Sequence, residues 1–164
     1  MTTEFTRKLA IDRIGPAGHE VVVEANASEL AALATRLQLP AVSALTCCFR
    51  LRRAPSDTFI AEGWLEAIVT QTCVVSLEDF AAPVSDHFVV HFVPARRERD
   101  DIDPESPDEI PYSDGVIDLG EAAAEQLALA LDPWPRKPDA SLPPAATDDP
   151  PSPFAALRQR RLPA

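Results

Sequence analysis

Glycine is scarce in this chain, with only five residues, at positions 15, 18, 63, 115 and 120. A phosphate-cradling loop needs clustered glycines so that backbone N–H groups can reach the ligand. Neither G-x-G-x-x-G nor a Walker pattern occurs, so nucleotide binding has no support. Histidine is equally thin. His87 and His91 would share a strand face, but at 3.3 Å per residue they stand roughly 13 Å apart, too far to ligate one metal. No G-x-S-x-G nucleophile motif is present. The cysteines are Cys47, Cys48 and Cys73. An odd count is a poor disulfide framework, and strand neighbours such as Cys47 and Cys48 point to opposite faces. Reduced thiols in a cytosol are the simplest reading. No apolar run is long enough to span a bilayer. The start, Met1 to Phe5, lacks the basic-then-apolar pattern of a signal peptide, so a cytoplasmic location is expected. Cations are also outnumbered: 15 Lys and Arg stand against 26 Asp and Glu, a net charge of -11. Such a chain lacks the clustered positive charge that holds phosphate backbone over a broad surface. It suits solubility or attraction to a basic partner.

What is present reads as one globular domain. The 164 residues are 46% apolar, enough for a real core. The domain is expected over 1–137, with a tail over 138–164. Phe5 to Ile14 and His19 to Ala25 read as two strands joined at Gly15-Pro16-Ala17-Gly18, an opening hairpin. Asn26 and Glu29 form a capping-box pattern before Leu30, Leu33, Ala34 and Leu37, an i, i+3, i+4, i+7 helical stripe stopped by Pro40. Leu45, Cys47, Phe49 and Leu51 then alternate with polar residues, as a half-buried strand does. Ala54 to Asp57 is a turn, and Phe59 to Thr72 runs back. A break is expected from Ser76 to Pro83, then a strand from Val84 to Val93. Short connections favour antiparallel pairing. Arg97 to Glu109 holds seven acids and two arginines, with Pro104 and Pro107. It reads as a solvated acidic loop over 97–110, or a docking strip for a basic protein. Asp118 is the expected cap of a second helix, with Glu121 three residues on and Leu119, Ala123, Leu127, Ala130 and Leu131 as its apolar face. Nine of the 17 prolines lie at Pro133 or later. That composition predicts a tail without fixed structure, ending in an apolar and basic segment from Phe154 to Arg161. The fold class is therefore α+β: an antiparallel, twisted or partly closed sheet with two packed helices and a disordered tail.

Cys73 ends a long strand and enters Val74-Val75-Ser76-Leu77-Glu78-Asp79-Phe80. A zinc site would need a second thiolate or imidazole two or three residues on, and Ser76 is not a usual zinc ligand. A structural, reduced thiol is the expectation. The Phe154/Leu157 pair reads either as a partner motif or as a frayed end. Arg50, Arg52 and Arg53 are the candidate basic patch for direct RNA contact, against the plainer reading of an exposed strand face.

Three ordered segments resemble the YceD family, the large ribosomal RNA subunit accumulation proteins. Gln71 to Phe80 looks like the family's C-x-x-C element after a long strand. Gly115 to Pro135 is similar to its I-D-L helix and proline-broken exit. Ser152-Pro153-Phe154-Ala155-Ala156-Leu157 looks like its N-P-F-A-x-L ending. Ser76 replaces the second cysteine of the first element. Trp134-Pro135-Arg136-Lys137-Pro138 stands where some members carry His and Cys. No metal, cofactor or catalytic residue is therefore carried over. The matched positions give the candidate partner-binding residues Cys73, Ser76, Phe80, Trp134, Phe154 and Leu157. The resemblance implies a non-enzymatic factor for large-subunit RNA accumulation and subunit biogenesis. Its expected partner is a basic ribosomal protein or a large-subunit assembly intermediate. Direct RNA binding, or an enzyme with a diffuse site, are the alternatives.

Overall fold

The computed structural model describes residues 4–96 and 107–141. Its elements, in chain order, are β1 (Lys8–Ala10), β2 (His19–Glu24), α1 (Ala27–Arg36), β3 (Ala41–Ala54), β4 (Thr58–Thr72), β5 (Asp79–Pro94), β6 (Asp108–Tyr112), β7 (Val116–Asp118) and α2 (Leu119–Ala130), with a short 3-10 turn at Ile11–Arg13. The fold is α+β, as expected. One five-stranded sheet has the order β2-β3-β4-β5-β6, and β1 and β7 form a separate pair.

Long strands follow from long alternation. Leu45, Cys47, Phe49 and Leu51 of β3 stand opposite Ala67, Leu65, Gly63 and Ala61 of β4, all of them buried. Phe88, Val90 and Phe92 of β5 continue the same face. Gly63 is needed here, because a Cβ would lie 2.3 Å from the Phe88 ring. That ring meets Phe49 edge to face at 5.8 Å. α1 packs against β3, while α2 packs against β4, β5 and β1. The opposite sheet face carries polar residues with scattered exposed Val22, Trp64, Ile68 and Val89.

The capping box of α1 forms as its sequence predicts: Asn26 Oδ1 accepts from the Ser28 and Glu29 amides, and Glu29 accepts from the Asn26 amide. Asp118 caps α2, accepting from Gly120 and Glu121. Glu121 does not reach back to complete a box; its carboxylate pairs with Arg36 of α1 at 2.6 Å. α2 buries more than the expected stripe, with Ala122, Ala124 and Gln126 buried beside Leu119, Ala123 and Leu127.

Three expectations need correction. The opening residues form no hairpin. β1 pairs with β7, and β2 pairs with β3. A local turn does not decide pairing when buried Phe5 and Leu9 gain more by reaching α2 and β7. The break after β4 is Cys73 to Glu78, and β5 already begins at Asp79. The acidic loop yields its end to β6, which is parallel to β5, with Asp108 and Glu109 beside Val90 and His91. The sheet is open and mostly antiparallel, with β2 and β6 as its edges. Tyr112 anchors the β6 edge, its hydroxyl donating to the Asp57 carbonyl at 2.7 Å. The remainder of the acidic segment and the tail beyond 141 lie outside the described residues.

Candidate partner-binding site at the Cys73 end of the sheet

β4 and β5 are paired to their last residues, Thr72 with Asp79. Between them the chain makes a tight loop. The Cys73 amide donates to the Glu78 carbonyl and the Leu77 amide to the Cys73 carbonyl, each at 2.9 Å. Leu77 sits at φ 60, a left-handed conformation unusual for a branched side chain. The loop turns its backbone inward: the Val75 and Ser76 amides each donate to Cys73 Sγ at 3.4 Å.

A third donor comes from a distant segment. Asp132 and Pro133 end α2, because the residue before proline is pushed out of helical geometry. The extended strap that follows is fastened to the loop. Gln71 donates to the Asp132 carbonyl at 3.1 Å, and the Val74 amide donates to the Pro135 carbonyl at 2.9 Å. The Lys137 amide donates to Cys73 Sγ at 3.4 Å, and Lys137 Nζ pairs with Glu78 at 3.0 Å. Donation from the Ser76 hydroxyl, then from the Lys137 and Ser76 amides, brings the Cys73 thiol down to about 6, against the pull of desolvation. Cys73 has no exposed surface. Its cover is thin, however, a loop whose own Leu77 is 78% exposed.

The loop and strap together present an apolar patch: Val74, Leu77 and, 72% exposed, Trp134. Beside it, Gln71, Phe80, Val84, Asp132, Pro135 and Arg136 are among the residues lining a cleft of about 370 Å³. Four of the sequence-derived candidates therefore meet at one end of the sheet, but in different roles. Cys73 and Ser76 hold the loop, Phe80 half-buries in the cleft wall, and Trp134 faces outward. Phe154 and Leu157 lie outside the described residues. Sequence reasoning missed Val74 and Leu77, although their place inside the Cys73 loop was a usable signal. It also missed Lys137, whose partner is 64 residues away.

This loop does not fit a metal. Among the described residues, no three His, Cys, Asp or Glu side chains gather where they could hold one. The single sulfur is already engaged by backbone and hydroxyl donors, and the facing strap offers Arg136 and Lys137. The three arginines of the candidate basic patch are placed differently. Arg50 is committed to Glu20 at 2.8 Å and leans over Trp64. His87 stacks on Trp64 from the neighbouring strand, with centroids 5.1 Å apart. Arg53 lies over Phe59, on the opposite sheet face from Arg50 and Arg52.

A family model described as large ribosomal RNA subunit accumulation protein YceD matches residues 61–159. The chain belongs to this family. The YceD match enters in β4 and runs through the Cys73 loop, β5, α2 and the strap, so it contains the whole site just described. No curated protein and no solved structure matches. No described helix is long and apolar enough to cross a membrane.

Proposed function

We propose that this YceD-family chain is a non-enzymatic, cytoplasmic binding factor in large ribosomal RNA accumulation and large-subunit biogenesis. Its contact is the Val74, Leu77 and Trp134 patch, held by the Cys73 loop and its strap. The observation that carries the reading is this exposed apolar patch on a fastened backbone, set in a chain of net charge -11. A fixed patch loses little entropy on binding, and an aromatic anchor is a common hot spot. The acidity selects a basic partner, a ribosomal protein or an assembly intermediate containing one, and steers its approach. RNA is then served through protein. Supporting this, Arg7, Arg36, Arg50 and Lys137 are each tied to a carboxylate and do not form a phosphate track.

The test is capture by the tagged full chain across a salt series, beside subunit profiles of a deletion strain. Basic large-subunit proteins should be retained at low salt and lost at high salt. Leu77→Asp and Trp134→Ala should abolish capture and fail to restore the ratio of large to small subunits. A normal ratio in the deletion strain would sink the proposal.

A further inference from the structure

The uncovered face of the sheet carries a second feature, apart from the Cys73 patch. Ala44, Ile68 and Pro83 form one row across β3, β4 and β5, and Thr46, Glu66 and Ser85 form the next. Small Ala44 and rigid Pro83 flank an Ile68 that is 47% exposed. These residues line an open groove of about 320 Å³. The Thr46 row continues to Glu24 on β2. No described cation pairs with the Glu66 carboxylate, while at the end of its row the Arg7 guanidinium donates to the Glu24 carbonyl at 2.6 Å. The arginines of this face begin two rows away, and Arg50 there is already held by Glu20. The groove thus combines an apolar floor with uncompensated negative charge.

We propose that this groove docks the chain's own terminal segment, Phe154 to Arg161. The chemistry is complementary. Phe154 and Leu157 supply an i, i+3 apolar pair, and Arg158, Arg160 and Arg161 supply the opposite charge. The reach is sufficient. The strap is bonded to the loop at Cys73, and Ile68 is five residues back along β4, roughly 17 Å at strand rise. Twelve proline-rich residues separate Ser141 from Phe154, a span of up to about 40 Å when extended. Tethering places the segment at an effective concentration near the millimolar range, so a shallow groove can hold it. The family match also ends at residue 159, and so takes in Phe154 and Leu157 together with Glu66, Ile68, Pro83 and Ser85. A second copy or a separate basic peptide would meet the same groove without this tether.

The experiment compares backbone amide spectra of the isolated full chain with those of Ile68→Lys and of the double variant Phe154→Ala, Leu157→Ala. Ile68 lies outside the core, and all three chains should fold. Reciprocity is the expected result: Ile68→Lys moves the amides of 154–161, and the terminal variant moves those of Ala44, Glu66 and Ser85. High salt should move wild type toward both variants. Terminal amides unchanged in Ile68→Lys would overturn the proposal. So would terminal-variant shifts that map instead to Leu77 and Trp134, or shifts that depend on protein concentration. Because the protein is studied alone, the outcome is independent of the ribosomal reading.

Discussion

Cys47 and Cys73 are both fully sealed from solvent, yet their thiols move in opposite directions. Cys47 lies in the sheet core between Val23 and Leu65, and desolvation pushes it up to about 12, with Cys48 adding a little. Cys73 lies in the loop at the end of the same sheet, and hydrogen bonds bring it down to about 6. Burial alone therefore does not decide the state of a thiol. The donors aimed at it do. In the core, backbone N–H groups are spent on the strand ladder. At the sheet end, three of them are released by the turn and the strap, and they converge on sulfur.

The comparison can be broken at either end, and the largest effect belongs to the core. Leu65→Ala, opposite Cys47, should cost about 2–5 kcal/mol in denaturant unfolding, because a rigid interior leaves a cavity. Cys47→Ser should cost less, about 1–3 kcal/mol, by burying a hydroxyl. Cys73→Ser should lose less still, since serine oxygen can accept the same amides; equal losses at the two sites would refute the contrast. Next in size is a pH effect. Thiolate absorbance of the native chain should rise with a midpoint about 6, vanish in Cys73→Ala and shift upward in Ser76→Ala. The folded thiol lies below its ordinary 9.0, so the unfolded chain binds more protons between the two values. Wild type minus Cys73→Ala stability should grow as pH rises from about 6 to about 9 and be lost below about 6. A flat difference would mean that Cys73 is not a thiolate. The smallest effect is at the arginines: Glu20→Gln should leave the melting temperature unchanged within error, because an exposed pair is screened.

Local chemistry was legible wherever one segment contains both partners. Asn26 and Glu29 complete a cap within four residues, and the alternation of β3 names its buried face. The hairpin expectation failed because its cue was local while the pairing was not. Lys8 lies beside Asp118, and Gly120 is tolerated only as glycine because a Cβ would lie 2.6 Å from the Phe5 carbonyl. β6 was hidden by its acids, which read as solvated, yet Pro111 and Tyr112 carry it along β5. Within the site, Cys73, Ser76, Phe80 and Trp134 were found through resemblance. The exposure of Leu77 and the closure by Lys137 were not.

By itself, the sequence determined the two capped helices, the long alternating strands, the surplus of acid and the likeness to the YceD family. Each depends on spacing within a short stretch or on composition. The tertiary structure alone decided which strands are neighbours, which sheet face stays uncovered and what surrounds Cys73. Those depend on contacts between residues dozens of positions apart, where the free energy of burying Phe5 or fastening the strap outweighs any local preference.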